Sequence, residues 1–240
     1  MPASLVPRGI EEAYAVQDAF VALKALACGP VVGHKIALTT PRMRALVGMN
    51  EPIAGCLHAR QVVRGPASVR AADYGRLLVE FEICARIDED LPPGGAPYLP
   101  QRVGAAVGAV MPAFELADDR NADYGTLAAR GYELASDNAW NEGAVLGAPA
   151  ASWRGIDLAD VRGVASINGA VVGEGRGADS MGHPFAVVAW VANHLARRSR
   201  GLRRGDIVIC GSLVTSKFPR QGDALRFEAG ALGSVELTVT

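Results

Sequence analysis

The chain has 240 residues, half of them hydrophobic, which is enough for one large domain or one domain with a small N-terminal appendage. Its 24 basic and 25 acidic side chains leave a net charge of -1, too small a field to draw nucleic acid or an anionic membrane. No apolar stretch approaches the roughly 20 residues of a membrane-spanning helix, and the start lacks the basic-then-apolar layout of a signal peptide, so the reading is a cytoplasmic, enzyme-sized protein.

The opening "SLVPRG" resembles a protease-cleavage linker, and the first nine residues carry no structural weight. From Ile10 to about Ala27, Ala13, Val16, Phe20 and Leu23 recur at helical spacing, and Cys28-Gly29-Pro30 reads as a stop. Residues 1–30 are therefore expected to form a helical N-terminal segment, and 31–240 a separate main domain. From Val31 the pattern turns to short apolar runs bounded by Gly, Pro or Asp: "VVGHKIALT", "LLVEFEICARI", "AAVGAVMPAFELA", "GVASINGAVVGEG", "GDIVICGSLVT", "DALRFEAG" and "GSVELTVT". Each is strand-length. Asn168-Gly169 between two of them predicts a two-residue hairpin, because both central positions of that turn need positive φ. One long helix interrupts the second half: "HPFAVVAWVANHLARRSR" has Pro184 in its first turn and a basic end at Arg197, Arg198 and Arg200 that suits the helix dipole. His183 reads as the helix-start residue, and no other His or Cys lies at ligand spacing from it. The chain is thus mostly β with a few helices and without regular strand–helix alternation. The stretch "GEGRGADSMG" is a loop and not a phosphate cradle, because it lacks a lysine-serine ending and no helix directly follows its glycines. Cys28, Cys56, Cys84 and Cys210 are far apart with no CxxC pair, which predicts reduced core residues.

The chemistry is carried by the acids. In a strand over 77–87, Val79, Phe81, Ile83, Ala85 and Ile87 share one face, and Glu80 and Glu82 share the other. A solvated outer face would explain such a pair. A third acid, Glu115, lies deep in the apolar run "VGAVMPAFELADDR", with Phe114 and Leu116 pointing away from it. Three carboxylates drawn into one cleft repel one another, and a divalent cation removes the conflict. Oxygen-only ligands favour a hard ion such as Mg2+ or Mn2+, with positions left open for water or a chelating substrate.

These pieces, with "GHKIALTTPRMRALVGMNEPIAGCL", "VEFEI", "MPAFELADDR", "SDNA", "NGAVVGEG", "GHPFAVVAWVANHL", "LRRGDIVICGSLVT" and "GDALRFEAGALGSV", resemble in order and spacing the 2-keto-4-pentenoate hydratase and 4-oxalocrotonate decarboxylase family of the fumarylacetoacetate hydrolase superfamily. Each piece is weak alone; their ordered co-occurrence from about residue 10 onward is specific. The resemblance implies an α+β chain, a mixed β-roll with a few flanking helices, assembled as a homo-oligomer. It implies an Mg2+ or Mn2+ site at Glu80, Glu82 and Glu115, and small 2-oxo or 2-hydroxydienoic acids from aromatic breakdown as substrates. Lys35 in "GHKIALT" matches the family's active-site lysine; from its strand alone it would reach out to water, and with the resemblance it binds the substrate carboxylate or moves a proton. Asp137 and Asn138 match a family "DN", the first read as catalytic and the second as substrate-binding, with a turn role the alternative. Asp118 and Arg120 are expected to orient the metal ligands through hydrogen bonds, and Ser212 and Thr215 to line the pocket mouth.

The implied reaction protonates a 2-hydroxy-2,4-dienoate at C5 and adds water at C4, giving a 4-hydroxy-2-oxo acid. A decarboxylase would use the same electron sink and lose CO2 from a second carboxylate at the substrate's far end. The subfamily signs are mixed: "EPIAG" looks closer to decarboxylases, whereas "AWVANHL" and "CGSLVT" look closer to hydratases, and His34 and Ala37 depart from the common pattern. Carbon–carbon bond hydrolysis ranks lower, since it wants a histidine paired with an acid and only His34 and His58 precede Glu80 as candidates. A fold retained for binding without turnover is the non-enzyme alternative.

Overall fold

The computed structural model describes residues 3–128 and 130–240. In chain order its strands are β1 (Val31–Ala37), β2 (Ile53–His58), β3 (Val62–Arg64), β4 (Ala67–Val69), β5 (Leu77–Ile87), β6 (Val107–Asp118), β7 (Asn141–Leu146), β8 (Arg162–Ile167), β9 (Ala170–Arg176), β10 (Ile207–Lys217), β11 (Ala224–Ala229) and β12 (Ser234–Val239). Its α-helices are α1 (Ile10–Cys28), α2 (Pro41–Val47), α3 (Pro100–Ala106), α4 (Gly131–Ser136) and α5 (Pro184–Arg197). The strands form a seven-stranded sheet, β2-β1-β10-β5-β6-β7-β3, and a five-stranded sheet, β4-β12-β11-β8-β9. Both are mixed, with β1–β10, β3–β7 and β4–β12 parallel and the other pairs antiparallel. This is the α+β architecture, with mixed sheets and a few flanking helices.

The alternation along β5 decides the layering. Val79, Phe81, Ile83, Ala85 and Ile87 are buried against the second sheet, where Phe81 meets Phe114 and Phe227 edge-on at centroid distances of 5.5 and 5.8 Å. Each fully buried phenylalanine contributes about 1.5–3 kcal/mol. The opposite face is closed too, because the seven-stranded sheet curls until β2 approaches β7. Leu57, Cys84, Met111 and Ile209 fill part of that interior, and Lys35, Glu82 and Glu115 are buried on the strands that line it. The acids of β5 and β6 therefore face the inside of a curled sheet, not a solvated outer surface.

Local signals account for the connections. Asn168 and Gly169, at φ 52° and 79°, make the predicted hairpin between β8 and β9. His183 caps α5, its Nδ1 accepting the Phe185 N–H at 2.9 Å, with Pro184 in the first turn. Helix α1 ends at Gly29, whose φ of 80° is costly for other residues. The buried face of α1 differs from the apolar spacing. Ala13, Tyr14, Gln17 and Val21 are buried, while Val16 and Leu23 are 38% and 69% exposed. Polar tips explain the rotation: Gln17 Nε2 donates to the Ala54 and Ala135 carbonyls, and the Tyr14 hydroxyl accepts from the Ala54 N–H. All four cysteines are free, and Cys56, Cys84 and Cys210 are buried. Among the described residues no helix is long and apolar enough to cross a membrane.

Candidate metal centre

The β5–β6 register places Glu80 directly opposite Glu115, and the strand period brings Glu82 to the same side. One carboxylate oxygen from each of Glu80, Glu82 and Glu115 lies within 4.8 Å of the others. Glu82 and Glu115 are fully buried and Glu80 is partly exposed. Lys35, on β1 and also buried, brings its Nζ to 3.0 Å from Glu115 Oε1 and donates a longer bond of 3.4 Å to the Ala139 carbonyl. Four ionisable groups thus share one interior.

Neighbouring elements hold each carboxylate by one oxygen. Asn141 Nδ2 donates to Glu115 Oε1 at 2.9 Å, the Gly211 N–H to Glu82 Oε2 at 2.6 Å, and the Ser216 hydroxyl to Glu80 Oε1 at 2.7 Å. Among the described residues nothing donates to Glu82 Oε1 or Glu115 Oε2, both buried. Buried acceptors of this kind cost free energy unless something supplies positive charge to them. Fixed carboxylates that converge within 4.8 Å, two of them with an unpartnered oxygen, fit a hard divalent cation.

The titration behaviour agrees. Burial pushes the Glu82 carboxyl well above the usual range, and the charges of Glu115 and Glu80 add to the shift. Burial raises Glu115 to about 7 against the pull of Lys35. Burial alone would lower the Lys35 ammonium, but Glu115, Glu80 and Glu82 outweigh it and hold the group above its ordinary value. Lys35 therefore carries a charge inside the fold, in place of the outward reach that its strand alone suggested.

The backbone around the site is strained where it meets Lys35. Asn138, Ala139 and Trp140 all have positive φ, at 54°, 50° and 61°. Asn138 holds this left-handed turn with its amide: Oδ1 accepts the Cys56 N–H at 2.6 Å and Nδ2 donates to the Cys56 carbonyl at 2.9 Å. Gly55 admits the turn, since a Cβ there would lie 2.7 Å from the Asn138 carbonyl oxygen. At Gly211, a φ of 88° aims the N–H at Glu82, and a Cβ would fall 2.7 Å from Ser180 Oγ.

The structure brings together Lys35, Glu80, Glu82 and Glu115, and sets the other expected residues around them. Asp118 accepts the backbone N–H groups of Gly75, Arg76 and Arg120, and Arg120 pairs with Asp137 and Glu142. Among the described residues no hydrogen bond joins Asp118 or Arg120 to the three glutamates, so the expected contact with the ligands is not made. Asp118 sits three residues beyond Glu115 on an extended strand, about 10 Å along it. Asp137 is engaged by Arg120, and the Asn138 amide is committed to Cys56. The Ser212 hydroxyl accepts the Phe81 N–H and donates to the Val214 carbonyl, and Thr215 is exposed. The residues that do hold the glutamates, Asn141, Gly211 and Ser216, went unread in the sequence. Asn141 lies three residues past Asn138, and Ser216 ends the run "GSLVTS".

At 32% identity over 94% of this chain and 85% of the relative, the sequence is similar to a 2-oxo-hept-4-ene-1,7-dioate hydratase of Escherichia coli. It is 30% identical to a 2-keto-4-pentenoate hydratase of Paraburkholderia xenovorans (strain LB400), over 94% of this chain and 82% of the relative. A solved 4-oxalocrotonate decarboxylase from Pseudomonas putida G7, complexed with magnesium and adipate, shares the fold with a TM-score of 0.84 at 27% identity, covering 97% of this chain and 86% of that one. The pattern of the fumarylacetoacetate (FAA) hydrolase C-terminal family matches residues 39–240, and the chain belongs to that family.

Proposed function

We propose that the protein is a divalent-metal-dependent hydratase that adds water to a 2-hydroxy-2,4-dienoate of the 2-keto-4-pentenoate type. The observation that carries the reading is the trio of converging carboxylates, two of them fully buried with a spare oxygen each, and a lysine 3.0 Å from one of them. Glu80, Glu82 and Glu115 would hold Mg2+ or Mn2+, which supplies positive charge opposite the C1 carboxylate and C2 oxygen of a 2-oxo acid. Asn141, Gly211 and Ser216 fix the three ligands, and Arg120 positions Asp137 beside the left-handed turn.

Lys35 Nζ is the proton carrier. Its charge is held by Glu115, and it is buried away from competing water. In the reaction the enol proton of the 2-hydroxydienoate leaves the C2 oxygen and a proton is delivered to C5. Water then gives its hydroxyl to C4 and a proton to C3, so that 2-hydroxypenta-2,4-dienoate and one water become 4-hydroxy-2-oxopentanoate. Residues 31–240 supply all the groups named, and α1 (Ile10–Cys28) of the N-terminal segment braces β2 and α4.

The second reading is decarboxylation of a 4-oxalocrotonate-type diacid, favoured by the likeness to the solved decarboxylase. Hydrolysis of a carbon–carbon bond has less support: His34 alternates with Lys35 on β1 and its Nδ1 lies 3.9 Å from Cys56 Sγ, while neither His58 nitrogen has a partner among the described residues. A homo-oligomer of cytoplasmic location completes the proposal, and the exposed Leu23 and Leu26 of α1 are suited to a subunit contact. Product analysis tests the activity. Incubation with Mg2+ and 2-hydroxypenta-2,4-dienoate should yield 4-hydroxy-2-oxopentanoate. CO2 release from 2-hydroxyhexa-2,4-dienedioate, with no hydration of the first substrate, would replace the hydratase by the decarboxylase.

A further inference from the structure

Of the three glutamates only Glu80 is partly exposed, so the interior opens to solvent on its side. Three aromatic rings that touch one another each belong to a segment tied to the site. Trp140 follows Ala139, whose carbonyl meets Lys35. Phe218 lies two residues beyond Ser216, which holds Glu80. Tyr124 bonds through its hydroxyl to Asp119, the residue that follows β6, the strand of Glu115. The Tyr124 ring packs edge-on against Trp140 and Phe218, with centroids 6.2 and 6.4 Å away. Tyr124 and Phe218 are nonetheless 38% and 45% exposed, a large apolar surface on segments that adjoin the charged interior.

The cation stacked on these rings is already paired. Arg76 lies over the Phe218 ring at 4.9 Å and the Tyr124 ring at 5.6 Å. Its Nε donates to both oxygens of the buried Asp119 at 2.8 and 2.9 Å, and its Nη2 to Asp119 and to the Ala122 carbonyl. Asp119 is held in turn by the Tyr124 hydroxyl and the Asn121 N–H. Lys217, between Ser216 and Phe218, reaches instead to Gly173 of β9, its Nζ 4.0 Å from where a Cβ would stand. A second carboxylate on the substrate would meet ring faces and a neutralised guanidinium.

We propose that Tyr124, Trp140 and Phe218, backed by the Arg76–Asp119 pair, form the wall for the distal end of the substrate and select molecules whose far end is uncharged and apolar. This rests on the reading that a 2-oxo or 2-hydroxydienoic acid is gripped at the carboxylate trio. It separates the two activities, because decarboxylation needs a carboxylate where these rings stand.

Calorimetric titration of the Mg2+-loaded protein with saturated 2-oxo acids, which cannot turn over, tests the wall without relying on activity. From 2-oxobutanoate to 2-oxoheptanoate, each added methylene that reaches the rings should tighten binding about 2–4-fold. 2-Oxoadipate should bind about 10-fold or more weakly than 2-oxohexanoate, since its carboxylate must be desolvated against the rings. Phe218→Ala should flatten the dependence on chain length. Asp119→Asn, by freeing Arg76, should narrow the gap between hexanoate and adipate; should it disturb the 119–124 turn, the wild-type ratio and Phe218→Ala decide alone. Tighter or equal binding of 2-oxoadipate by the wild type, or a chain-length gain that survives in Phe218→Ala, overturns the wall. Failure of every 2-oxo acid to bind, the shortest included, overturns the functional reading and the wall with it. Binding of the short acids without selectivity overturns the wall alone.

Discussion

Replacing Lys35 by methionine removes the cation that, among the described residues, pairs with these carboxylates, while keeping most of the side-chain volume. At the observed 3.0 Å, attraction between Lys35 and Glu115 is about 5.5 kcal/mol for an effective dielectric of about 20, before desolvation is counted. Removing one partner of a buried pair leaves the other charge uncompensated, a cost of about 3–5 kcal/mol. For a chain of this size that corresponds to a melting temperature lower by roughly 6–20 °C. The loss should grow with pH in metal-free protein, because burial raises the Glu115 carboxyl to about 7 even with Lys35 beside it, and losing that charge raises it further. The sign follows from a folded value above the unfolded one: the destabilising effect of Glu115 is full above its folded value and fades as pH falls toward about 4.5. Differential scanning calorimetry of Lys35→Met near pH 8 and near pH 5.5, with and without Mg2+, measures all of this. Acid and Mg2+ should each restore much of the stability, while turnover stays lost if Lys35 is the proton carrier we propose. A melting temperature equal to wild type in every condition, or a loss that neither acid nor Mg2+ relieves, would refute the reasoning.

Asn141→Ala frees Glu115 Oε1 from its 2.9 Å bond and should weaken Mn2+ binding about 10–100-fold with the fold intact, as read by titration and circular dichroism. Unchanged affinity would remove Asn141 from the site. Gly211→Ala forces an L-residue to a φ of 88° with its Cβ against Ser180, and should cost about 1 kcal/mol or more while misdirecting the N–H that holds Glu82; a variant as stable as wild type contradicts this. Burial lowers His34 to about 4 and His194 to about 3, with nearby arginines adding to each shift. Below about pH 6.5 the unfolded chain takes up protons that the folded one refuses, so this contribution to stability is full above that pH and is lost on acidification toward the folded values. His194→Phe, which can keep the stack on Trp190 at 5.2 Å, should make the acid limb of a urea-stability profile shallower. An unchanged limb would exclude His194 as a cause.

The fold and the centre of the site were legible wherever the information was local or periodic. Glu80, Glu82 and Glu115 stood out because a period of two puts each opposite a run of core residues, and burying an unpaired carboxylate needs a reason. Asn168-Gly169 and His183-Pro184 announced a turn and a helix start through backbone chemistry alone. What stayed hidden depends on pairing between distant segments. Glu80 meets Glu115 only through the β5–β6 register, and Gly211 reaches Glu82 only through an irregular stretch of the β10–β5 pairing. Asn141 and Ser216 look like ordinary polar strand residues until the sheet curls. Asp118 and Arg120 drew attention by closeness in sequence to Glu115, but an extended strand carries them past it. The exposed apolar face of α1 misled for a related reason, since apolar spacing does not count the polar tips of Tyr14 and Gln17 that satisfy buried backbone.

Direct titration of the metal-free protein with Mn2+, followed by electron paramagnetic resonance, reaches the centre of the account. One ion per chain should bind, displaceable by Mg2+, and Glu82→Gln and Glu115→Gln should each abolish saturation in folded protein. Absence of stoichiometric binding by the wild type, or binding that both variants retain unchanged, would contradict a metal held by these three glutamates.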